Sequence, residues 1–242
     1  MTNILIPMAG FGQRFVDAGF KTIKPLIEID GEYMAIKSIK SLGIYNHYSF
    51  ITRRFEDVGK LHTALIENFN NHSICLLEEQ TEGPACTALK AKEWINPEEP
   101  LIIANCDQIM TWNKKAFTNF CNTTDYDAFV VTFEGGDDRN SFVKLNDDGL
   151  CIKFTEKEKI SNIALMGIHF WKKAKYFFES AEQMIAQNDR APNGEFYVSK
   201  TYNYLLNKYN VGIYHIPSQF YNSVGTPEEL KSYLKRNNNE TI

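Results

Sequence analysis

The opening stretch of the chain, residues 3–31, constrains its fold more than any other segment. It begins with a short apolar run that ends at glycines, a pattern typical of a parallel strand buried on both faces of a sheet. Glycine permits positive φ and a close approach of the backbone to a ligand, so Gly10 and Gly12 can present N–H groups to phosphate oxygens. Arg14 adds a planar guanidinium group and Lys24 a compact positive charge. The stretch therefore predicts a loop that holds a triphosphate.

Glycine loops that follow a first strand occur in several kinds of nucleotide site, and these differ in spacing. A dinucleotide-binding fingerprint needs a third glycine where this chain has Phe15. A P-loop needs Gly-Lys-Ser/Thr five residues after its first glycine, whereas residues 15–17 read Phe-Val-Asp. The spacing therefore excludes both of these designs.

Length, composition and charge limit the architecture and the partners of the chain. Its 242 residues, 43% of them apolar, are enough for one large domain or for a domain with a small appendage, and we expect a single domain over residues 1–242. With 26 basic and 30 acidic side chains the net charge is −4, and no long basic block occurs. This composition argues against nucleic acid or an anionic membrane surface as the main partner.

The cysteines and the first residues of the chain bear on its cellular compartment, and the histidines bear on metal binding. The chain has five cysteines, an odd number without a Cys-x-x-Cys pair, so we expect reduced thiols rather than disulfides or a zinc site. The five histidines lack the i, i+4 spacing of metal ligands. The chain enters its first strand at once, without a signal peptide or an apolar run of membrane length, so we expect a cytoplasmic protein.

Apolar runs alternate between strand-like and helix-like patterns in the first half of the chain. The predicted elements are, in order, strand 3–8, helix 33–42, strand 49–52, helix 57–68, strand 73–77, helix 83–94 and strand 101–104. Such alternation implies a parallel sheet with right-handed crossovers. The second half adds strands at 128–133, 142–145, 150–154 and 164–171 with a hairpin turn at 146–149, then helices at 172–187, 195–208 and 227–235 and a strand at 211–216. We therefore predict an α/β fold whose mixed, mostly parallel sheet is flanked by helices.

A carboxylate follows the last predicted strand of the first half. Asp107 comes after the apolar run Leu-Ile-Ile-Ala, at the same carboxyl edge of the sheet as Gly10 and Arg14. A carboxylate there either meets a cation or caps the following turn. Because the triphosphate loop lies opposite, we favour a role for Asp107 as a ligand of Mg²⁺ that bridges phosphates.

Together these residues resemble a known signature. The signature is that of the sugar-phosphate nucleotidyltransferase family, which makes nucleoside-diphosphate sugars and related compounds. The segments of this chain that resemble it are Met8-Ala9-Gly10-Phe11-Gly12-Gln13-Arg14, Lys24-Pro25-Leu26 and Asp30-Gly31. The resemblance implies a Rossmann-like fold of the GT-A type. It also implies that the glycine loop wraps the triphosphate, that Arg14 stabilises the departing pyrophosphate and that Lys24 contacts phosphate at the reacting centre. Asp107 matches a metal ligand of the family.

The first half of the chain, approximately residues 1–125, is expected to bind the nucleotide. The segment Glu79-Gln80-Thr81-Glu82-Gly83-Pro84-Ala85 resembles the part of the family that reads the base, with Gln80 and Gly83 as the candidate contacts. Without the resemblance it is a turn followed by a helix start. Its small Gly-Pro-Ala contour and the short chain are more similar to cytidylyltransferases than to thymidylyltransferases, so we expect CTP, while UTP and dTTP stay open.

The second half, approximately residues 126–242, is expected to bind a phosphorylated acceptor. The run Thr155-Glu156-Lys157 and the later Gly167 resemble the Glu-Lys pair and glycine-containing strand of the family's acceptor site. The resemblance implies that Lys157 binds the acceptor's phosphate, although alternating charges also mark a solvated edge. Glu195 is expected to open a helix and to read a hydroxyl or an amine, or to be a first-turn glutamate that the helix dipole favours.

The chain departs from the family near its last Gly-Thr-Pro turn. Relatives often carry there an aspartate that is the second metal ligand, whereas this chain has Asn222 or Ser223, depending on the register. A neutral oxygen still coordinates Mg²⁺, but more weakly. We therefore take Asn222 as the candidate second ligand beside Asp107, and the alternative is an ion held by Asp107, phosphates and water.

The resemblance implies transfer of a nucleoside monophosphate, CMP from CTP, to a sugar 1-phosphate with release of pyrophosphate, for cell-surface polysaccharide precursors. Phosphocholine or phosphoglutamine is the alternative acceptor, and a non-catalytic nucleotide sensor is a further alternative. A GT-A glycosyltransferase would share the architecture but often has Asp-x-Asp where this chain has Asn105, and the Lys-Pro pair favours nucleotidyl transfer. Monomer and homodimer both stay open.

Overall fold

The computed structural model describes residues 1–44 and 46–239 of the chain. The strands are β1 (Asn3–Met8), β2 (Glu28–Ile29), β3 (Glu32–Tyr33), β4 (His47–Arg53), β5 (His72–Leu77), β6 (Leu101–Ala104), β7 (Gln108–Met110), β8 (Ala128–Glu134), β9 (Ser141–Leu145), β10 (Cys151–Glu156), β11 (Ile163–Trp171), β12 (Val211–His215) and β13 (Tyr221–Ser223). The α-helices are α1 (Gln13–Asp17), α2 (Met34–Leu42), α3 (Val58–Asn68), α4 (Pro84–Leu89), α5 (Lys114–Thr123), α6 (Ala174–Ala186), α7 (Val198–Thr201) and α8 (Pro227–Asn239). Short 3₁₀ turns cover Lys24–Leu26, Lys90–Glu93, Tyr202–Tyr204 and Ser218–Phe220.

One large sheet takes strands from both halves of the chain. Its order is β10-β9-β11-β6-β1-β4-β5, with β8 paired to β11 and β12 paired to β8. Strands β6, β1, β4 and β5 run parallel, and β11 is antiparallel to β6, β8 and β9. The predicted α/β fold, with a mixed, mostly parallel sheet flanked by helices, is confirmed.

The first strand is buried on both faces, as its composition predicts. Ile4 and Ile6 pack into a cluster with side chains of α2, α3 and α5, whereas Leu5 packs into a second cluster with α4 and α6. Burial of each such side chain contributes about 1.5–3 kcal/mol, so β1 is fixed at the centre of the sheet. None of the helices in the described ranges is long and apolar enough to cross a membrane.

The helix predicted at 195–208 is wrong in its start and in its length. Only Val198–Thr201 is α-helical, followed by a 3₁₀ turn over Tyr202–Tyr204. The residues before it are extended because Phe196 pairs through its backbone with the start of α4: its N–H donates to the carbonyl of Glu82, and its carbonyl accepts from the N–H of Ala85. These long-range bonds outweigh the local helical pattern.

Parallel pairing brings the two sequence motifs to one edge of the sheet. Strands β1 and β6 are neighbours in parallel register, so both have their carboxyl ends on the same side. The glycine loop leaves β1 there, and Asp107 follows β6. The fold thus juxtaposes segments that are far apart in the sequence.

Gly83 provides a test of how closely the two halves pack. It has φ +139°, and a Cβ atom at this position would lie 2.5 Å from the carbonyl oxygen of Phe196. We expect Gly83→Ala to lower the free energy of unfolding by about 2–4 kcal/mol, because backbone strain and a clash with backbone add together. Urea denaturation measures the loss.

Gly149→Ala is the matched control, because Gly149 also has positive φ (+79°) but a Cβ atom there would meet nothing within 4 Å. This variant should lose only the conformational term, about 1–2 kcal/mol. Equal losses in the two variants would contradict the close contact of Gly83 with Phe196.

Candidate active site

A cleft of about 270 Å³ opens at the carboxyl edge of β1 and β6. Predicted residues on its wall are Arg14, Lys24 and Asp107 from the first half and Gly167 from the second. The remaining wall comes mostly from the second half, including Arg139, Ser141, Glu156, His169, Tyr197, Ser199, Ser223 and Glu229. The structure therefore brings the predicted catalytic residues together at one end of a cleft that both halves line.

The glycine loop is packed against the lysine that follows it. Met8 and Ala9 are buried where β1 ends, and Gly10 is exposed. Gly12 has φ +65°, and a Cβ atom there would lie 2.9 Å from Cβ of Lys24. Helix α1 begins directly after Gly12 and directs Arg14 to the cleft. The loop conformation thus depends on glycine at position 12.

An arginine at the end of β4 supports the loop from the other side. Arg53 donates from Nε to the carbonyl of Ala9 at 3.1 Å, and its guanidinium lies 4.0 Å from the ring centroid of Phe11. The Phe11 side chain is otherwise exposed, at 52%. Sequence reasoning missed Arg53, and its place at the carboxyl end of a parallel strand was the available signal.

Lys24 and Asp107 form an ion pair across the cleft. Nζ of Lys24 lies 2.5 Å from Oδ2 of Asp107, and the two side chains are 20% and 25% exposed. Lys24 opens a 3₁₀ turn whose next residues, Pro25 and Leu26, are buried, so its backbone is fixed. Burial by itself lowers the pKa of Lys24, but the charge and hydrogen bond of Asp107 outweigh burial and raise this pKa above its ordinary value. Lys24 is therefore a fixed cation.

Oxygen atoms of the kind that bind Mg²⁺ lie around Gly225, beside the Lys24–Asp107 pair. A Cβ atom on Gly225 would lie 2.9 Å from Oδ2 of Asp107 and 3.5 Å from Oε2 of Glu229. Ser223 donates from Oγ to Oε2 of Glu229 at 2.8 Å. Within the described ranges no group of three or more His, Cys, Asp or Glu side chains could hold a metal ion. The donor set of two carboxylates and a hydroxyl nevertheless fits Mg²⁺, which in nucleotide sites takes its other ligands from phosphates and water.

The structure turns Asn222 away from this group, against the prediction. Asn222 pairs with Ile109 in the β13–β7 ribbon, and its side-chain amide donates to the carbonyl of Ile109 at 3.2 Å. Side chains alternate between the two faces of a strand, so Ser223 and Tyr221 face the cleft while Asn222 is buried behind it. Of the two alternatives, Ser223 is the residue on the cleft wall.

Gly167 forms a break in β11 that admits Asn105. It has φ +69°, and a Cβ atom there would lie 2.2 Å from Nδ2 of Asn105. The backbone N–H of Asn105 donates to the carbonyl of Gly167 at 3.0 Å. The pairing of β11 with β8 shifts its register over the same residues. Gly167 thus lets the loop after β6 approach the second half of the chain.

The inner end of the cleft contains a buried carboxylate and a buried imidazole. Glu156 is 6% exposed and accepts hydrogen bonds from Oγ of Ser141 and, at 2.8 Å, from Oγ of Ser199. Burial raises the pKa of Glu156 although both hydroxyls oppose the change. His169 is also 6% exposed, and its Nδ1 atom has no partner among the described residues. Burial lowers the pKa of His169 to about 3, so it is neutral.

Lys157 and Glu195 meet at a tyrosine instead of lining the cleft themselves. Nζ of Lys157 donates to the hydroxyl of Tyr197 at 2.9 Å, and this hydroxyl donates to Oε2 of Glu195 at 2.7 Å. Asn193 donates to the same carboxylate oxygen at 2.6 Å. Tyr197 is the member of this network on the cleft wall. Lys157 and Glu195 therefore lie behind Tyr197.

The two candidates for contact with the base lie at different places. Gly83 immediately precedes Pro84, which lines the cleft. Gln80 is exposed in a separate, shallow depression that continues from the end of β5 towards Cys86 and Lys90. The structure does not bring Gln80 to the cleft of Arg14 and Lys24.

Arg139, His169 and Glu229 are among the residues of the cleft wall that sequence reasoning missed. Arg139 lies in a polar turn and His169 within an apolar strand, and neither pattern indicates a site. Glu229 follows Thr226 by three residues, the spacing of a helix capping box, and its backbone N–H does bond Oγ1 of Thr226 at 3.2 Å. Its carboxylate is directed to the cleft, which spacing alone does not reveal.

The chain matches the family model described as nucleotidyl transferase over residues 4–240. No curated protein matches it in sequence. Among solved structures it is similar to a nucleoside-diphosphate-sugar pyrophosphorylase from Vibrio cholerae RC9, with a TM-score of 0.82 and 24% identity over 96% of this chain and 99% of that chain.

Two further solved structures share the fold. A putative glucose-1-phosphate thymidylyltransferase from Bacillus anthracis has a TM-score of 0.78 and 17% identity over 97% of this chain and 94% of that chain. The inositol-1-phosphate CTP transferase from T. maritima has a TM-score of 0.73 and 12% identity over 97% of this chain and 96% of that chain. At these identities the likeness concerns the fold.

The raised pKa of Glu156 predicts a pH-dependent stability. Because the folded state holds the proton more tightly than the unfolded state, the free energy of unfolding falls as pH rises above the ordinary glutamate value of 4.5. Glu156→Gln keeps an oxygen for both serines and has no proton to lose. We expect its stability, relative to the wild type, to increase from about pH 5 to about pH 8 in urea denaturation.

The exposed Glu158→Gln is the matched control for loss of one carboxylate. A stability difference between Glu156→Gln and the wild type that is equal at about pH 5 and about pH 8, or that shifts in favour of the wild type, would contradict the raised pKa of Glu156.

Proposed function

Because the chain belongs to the nucleotidyl transferase family, we propose that this enzyme transfers CMP from CTP to a phosphorylated acceptor and releases pyrophosphate. The observation that carries the proposal is the Lys24–Asp107 pair, which lies in one cleft with Arg14 directly after the glycine loop. A fixed cation, a second cation and a carboxylate at one strand edge are the groups that phosphate transfer needs.

The reaction is an in-line attack by an acceptor phosphate oxygen on the α-phosphorus of the triphosphate. A phosphate is already ionised at neutral pH, so no general base is needed. The thiol next to Asp107 is a poor nucleophile, because burial raises the pKa of Cys106 to about 12. Catalysis then consists of positioning and charge stabilisation.

Each residue at the donor end has a separate task in this proposal. Lys24 contacts phosphate at the reacting centre, and Arg14 stabilises the departing pyrophosphate. Backbone N–H groups of residues 8–12 surround the triphosphate. Asp107, with Ser223 and Glu229 nearby, would hold Mg²⁺, which neutralises charge on the phosphate oxygens when bound. Ser223 and Glu229 thus take the place that the sequence suggested for Asn222.

A sugar 1-phosphate is the acceptor that the inner end of the cleft supports best. Glu156 accepts hydrogen bonds from the hydroxyls of Ser141 and Ser199, which line the same cleft. Hydroxyl groups both donate and accept, so sugar hydroxyls suit this carboxylate and these serines. Gly167 contributes because it has no side chain that would displace Asn105 from the cleft wall. Lys157 and Glu195 contribute by holding the hydroxyl of Tyr197 in place. The product would serve cell-surface polysaccharide synthesis.

An acceptor that carries an amine, such as phosphocholine or phosphoglutamine, is the second candidate. Two carboxylates, Glu156 and Glu195, lie near Tyr197 and could pair with a cation. Nζ of Lys157 bonds the hydroxyl of Tyr197 and lies 4.9 Å from its ring centroid, so a positive charge already stands beside this ring. Its charge disfavours a second cation, such as a quaternary ammonium, at Tyr197.

CTP as the donor is supported by the small Gly83-Pro84-Ala85 contour beside the cleft, and one similar structure is named a CTP transferase. Gln80 would have to act from outside the cleft.

The two halves, approximately residues 1–125 and 126–242, are proposed to work as one catalytic unit. Their shared cleft supports this arrangement.

Loss of either charge of the central pair tests the proposal. We expect Lys24→Ala and Asp107→Ala to fold, by circular dichroism, and to lose on the order of 100-fold or more in kcat for pyrophosphate release with CTP, Mg²⁺ and a panel of sugar 1-phosphates. The panel should include inositol 1-phosphate and phosphocholine.

Lys21→Ala and Asp125→Ala are the matched controls, because both side chains are exposed and lie outside the cleft. They should retain the wild-type rate. Near-normal turnover by Lys24→Ala or Asp107→Ala, or no pyrophosphate release by the wild type with any donor and acceptor, would contradict the proposed function.

A further inference from the structure

The cation that meets the acceptor's phosphate is not settled by the sequence motif. Lys157 resembles the family's phosphate ligand, but Nζ of Lys157 is bonded to the hydroxyl of Tyr197 and lies behind the cleft wall. The positively charged side chains on the wall itself are Arg14, Lys24 and Arg139. The first two belong to the donor end, so Arg139 is the candidate from the second half of the chain.

Arg139 is attached to the acceptor end of the cleft. It lies in the turn between β8 and β9, directly before Asn140 and Ser141. The carbonyl of Asn140 accepts from the backbone N–H of Lys157 at 3.1 Å, and Ser141 donates to the carboxylate of Glu156. The backbone on which Arg139 stands is therefore fixed relative to the acceptor pocket.

The guanidinium of Arg139 reaches towards the donor end. Its Nη1 atom lies 3.6 Å from Oε1 of Glu229. The other carboxylate oxygen of Glu229 and Oδ2 of Asp107 both approach Gly225. Arg139 thus lies on the cleft wall next to Glu229, which in turn lies with Asp107 at Gly225.

Part of the hydrogen-bonding capacity of Arg139 is unused. Nε and Nη2 form a forked pair with the carboxylate of Asp137, at 3.0 Å to Oδ1 and 2.7 Å to Oδ2. The Nη1 contact with Glu229 is too long for a hydrogen bond, and no other described residue accepts from Nη1. The forked pair with Asp137 occupies two of the five N–H groups of Arg139, and both N–H groups of Nη1 have no acceptor among the described residues.

We propose that Arg139 binds the phosphate group of the acceptor and holds it between Glu156 and the Lys24–Asp107 pair. The inference rests on the proposed function and names the residue that positions its nucleophile. Arginine suits the task because its charge is permanent and its planar N–H groups match the geometry of phosphate oxygens. Lys157 acts indirectly, by fixing Tyr197.

Steady-state kinetics of four proteins test the inference: the wild type, Arg139→Ala, Arg139→Lys and Lys144→Ala. Pyrophosphate release is measured with CTP and Mg²⁺, and the acceptor probe is glucose 1-phosphate, or the sugar 1-phosphate of the panel with the highest turnover. In Arg139→Ala the KM for the acceptor should rise about 10-fold or more, since a charged hydrogen bond is lost, while the KM for CTP stays within about twofold.

Arg139→Lys should be intermediate, because it keeps the charge and loses the planar geometry. Lys144→Ala, which removes an exposed cation from the adjoining strand β9, should equal the wild type and so controls for net charge. An unchanged acceptor KM in Arg139→Ala, or an equal rise in the KM for CTP, overturns the role of Arg139 while leaving the proposed function intact.

Calorimetric binding distinguishes the role of Arg139 from the proposed function. Glucose 1-phosphate is titrated into protein that is saturated with α,β-methylene-CTP and Mg²⁺, so that the donor site is filled and no turnover occurs. Weaker binding by Arg139→Ala than by Lys157→Ala supports the inference. Equal affinity of the wild type and Arg139→Ala overturns it, and absence of pyrophosphate release from the wild type overturns the proposed function itself.

Discussion

The ion pair between Lys24 and Asp107 is the interaction on which the site depends. It joins the segment after β1 to the end of β6, two neighbouring parallel strands whose carboxyl ends meet. Gly12 packs directly on Lys24, so the glycine loop takes its shape from the same contact. In the proposed function the triphosphate becomes the new partner of Lys24, and a divalent cation becomes the new partner of Asp107. The free protein thus keeps both charges in place and neutralised.

The arrangement of the proposed donor end was predictable because it is local. Strand β1, the glycine loop, Arg14 and Lys24 lie within one short stretch of chain, and glycine spacing excludes the dinucleotide fingerprint and the P-loop. The position of Asp107 beside the glycine loop was predictable from a general rule, since parallel strands present their carboxyl ends at one edge of the sheet. The fold class followed equally from the alternation of apolar runs, which sheet burial imposes on sequence.

The arrangement of the proposed acceptor end was predicted less well because tertiary contacts determine it. Glu195 was expected on a helix, but the backbone bonds of Phe196 with Glu82 and Ala85 keep that segment extended. Asn222 and Ser223 differ by one residue in register, and only the pairing of β13 with β7 shows which of them faces the cleft. Arg139 lies in a polar turn that looks solvated in the sequence. Side-chain direction and loop path, which sequence spacing does not determine, account for each difference.

The central claim is a direct transfer from donor to acceptor, without a covalent intermediate on the protein. The stereochemistry at the α-phosphorus tests it most directly: the triphosphate carries sulfur in place of one α-phosphate oxygen in a single known configuration, and the configuration of the product is determined by ³¹P NMR. A single in-line displacement in the cleft predicts inversion. Retention would mean two displacements and a nucleophile on the protein, and it would contradict the roles of Lys24, Asp107 and Arg14 as positioning and charge-stabilising groups.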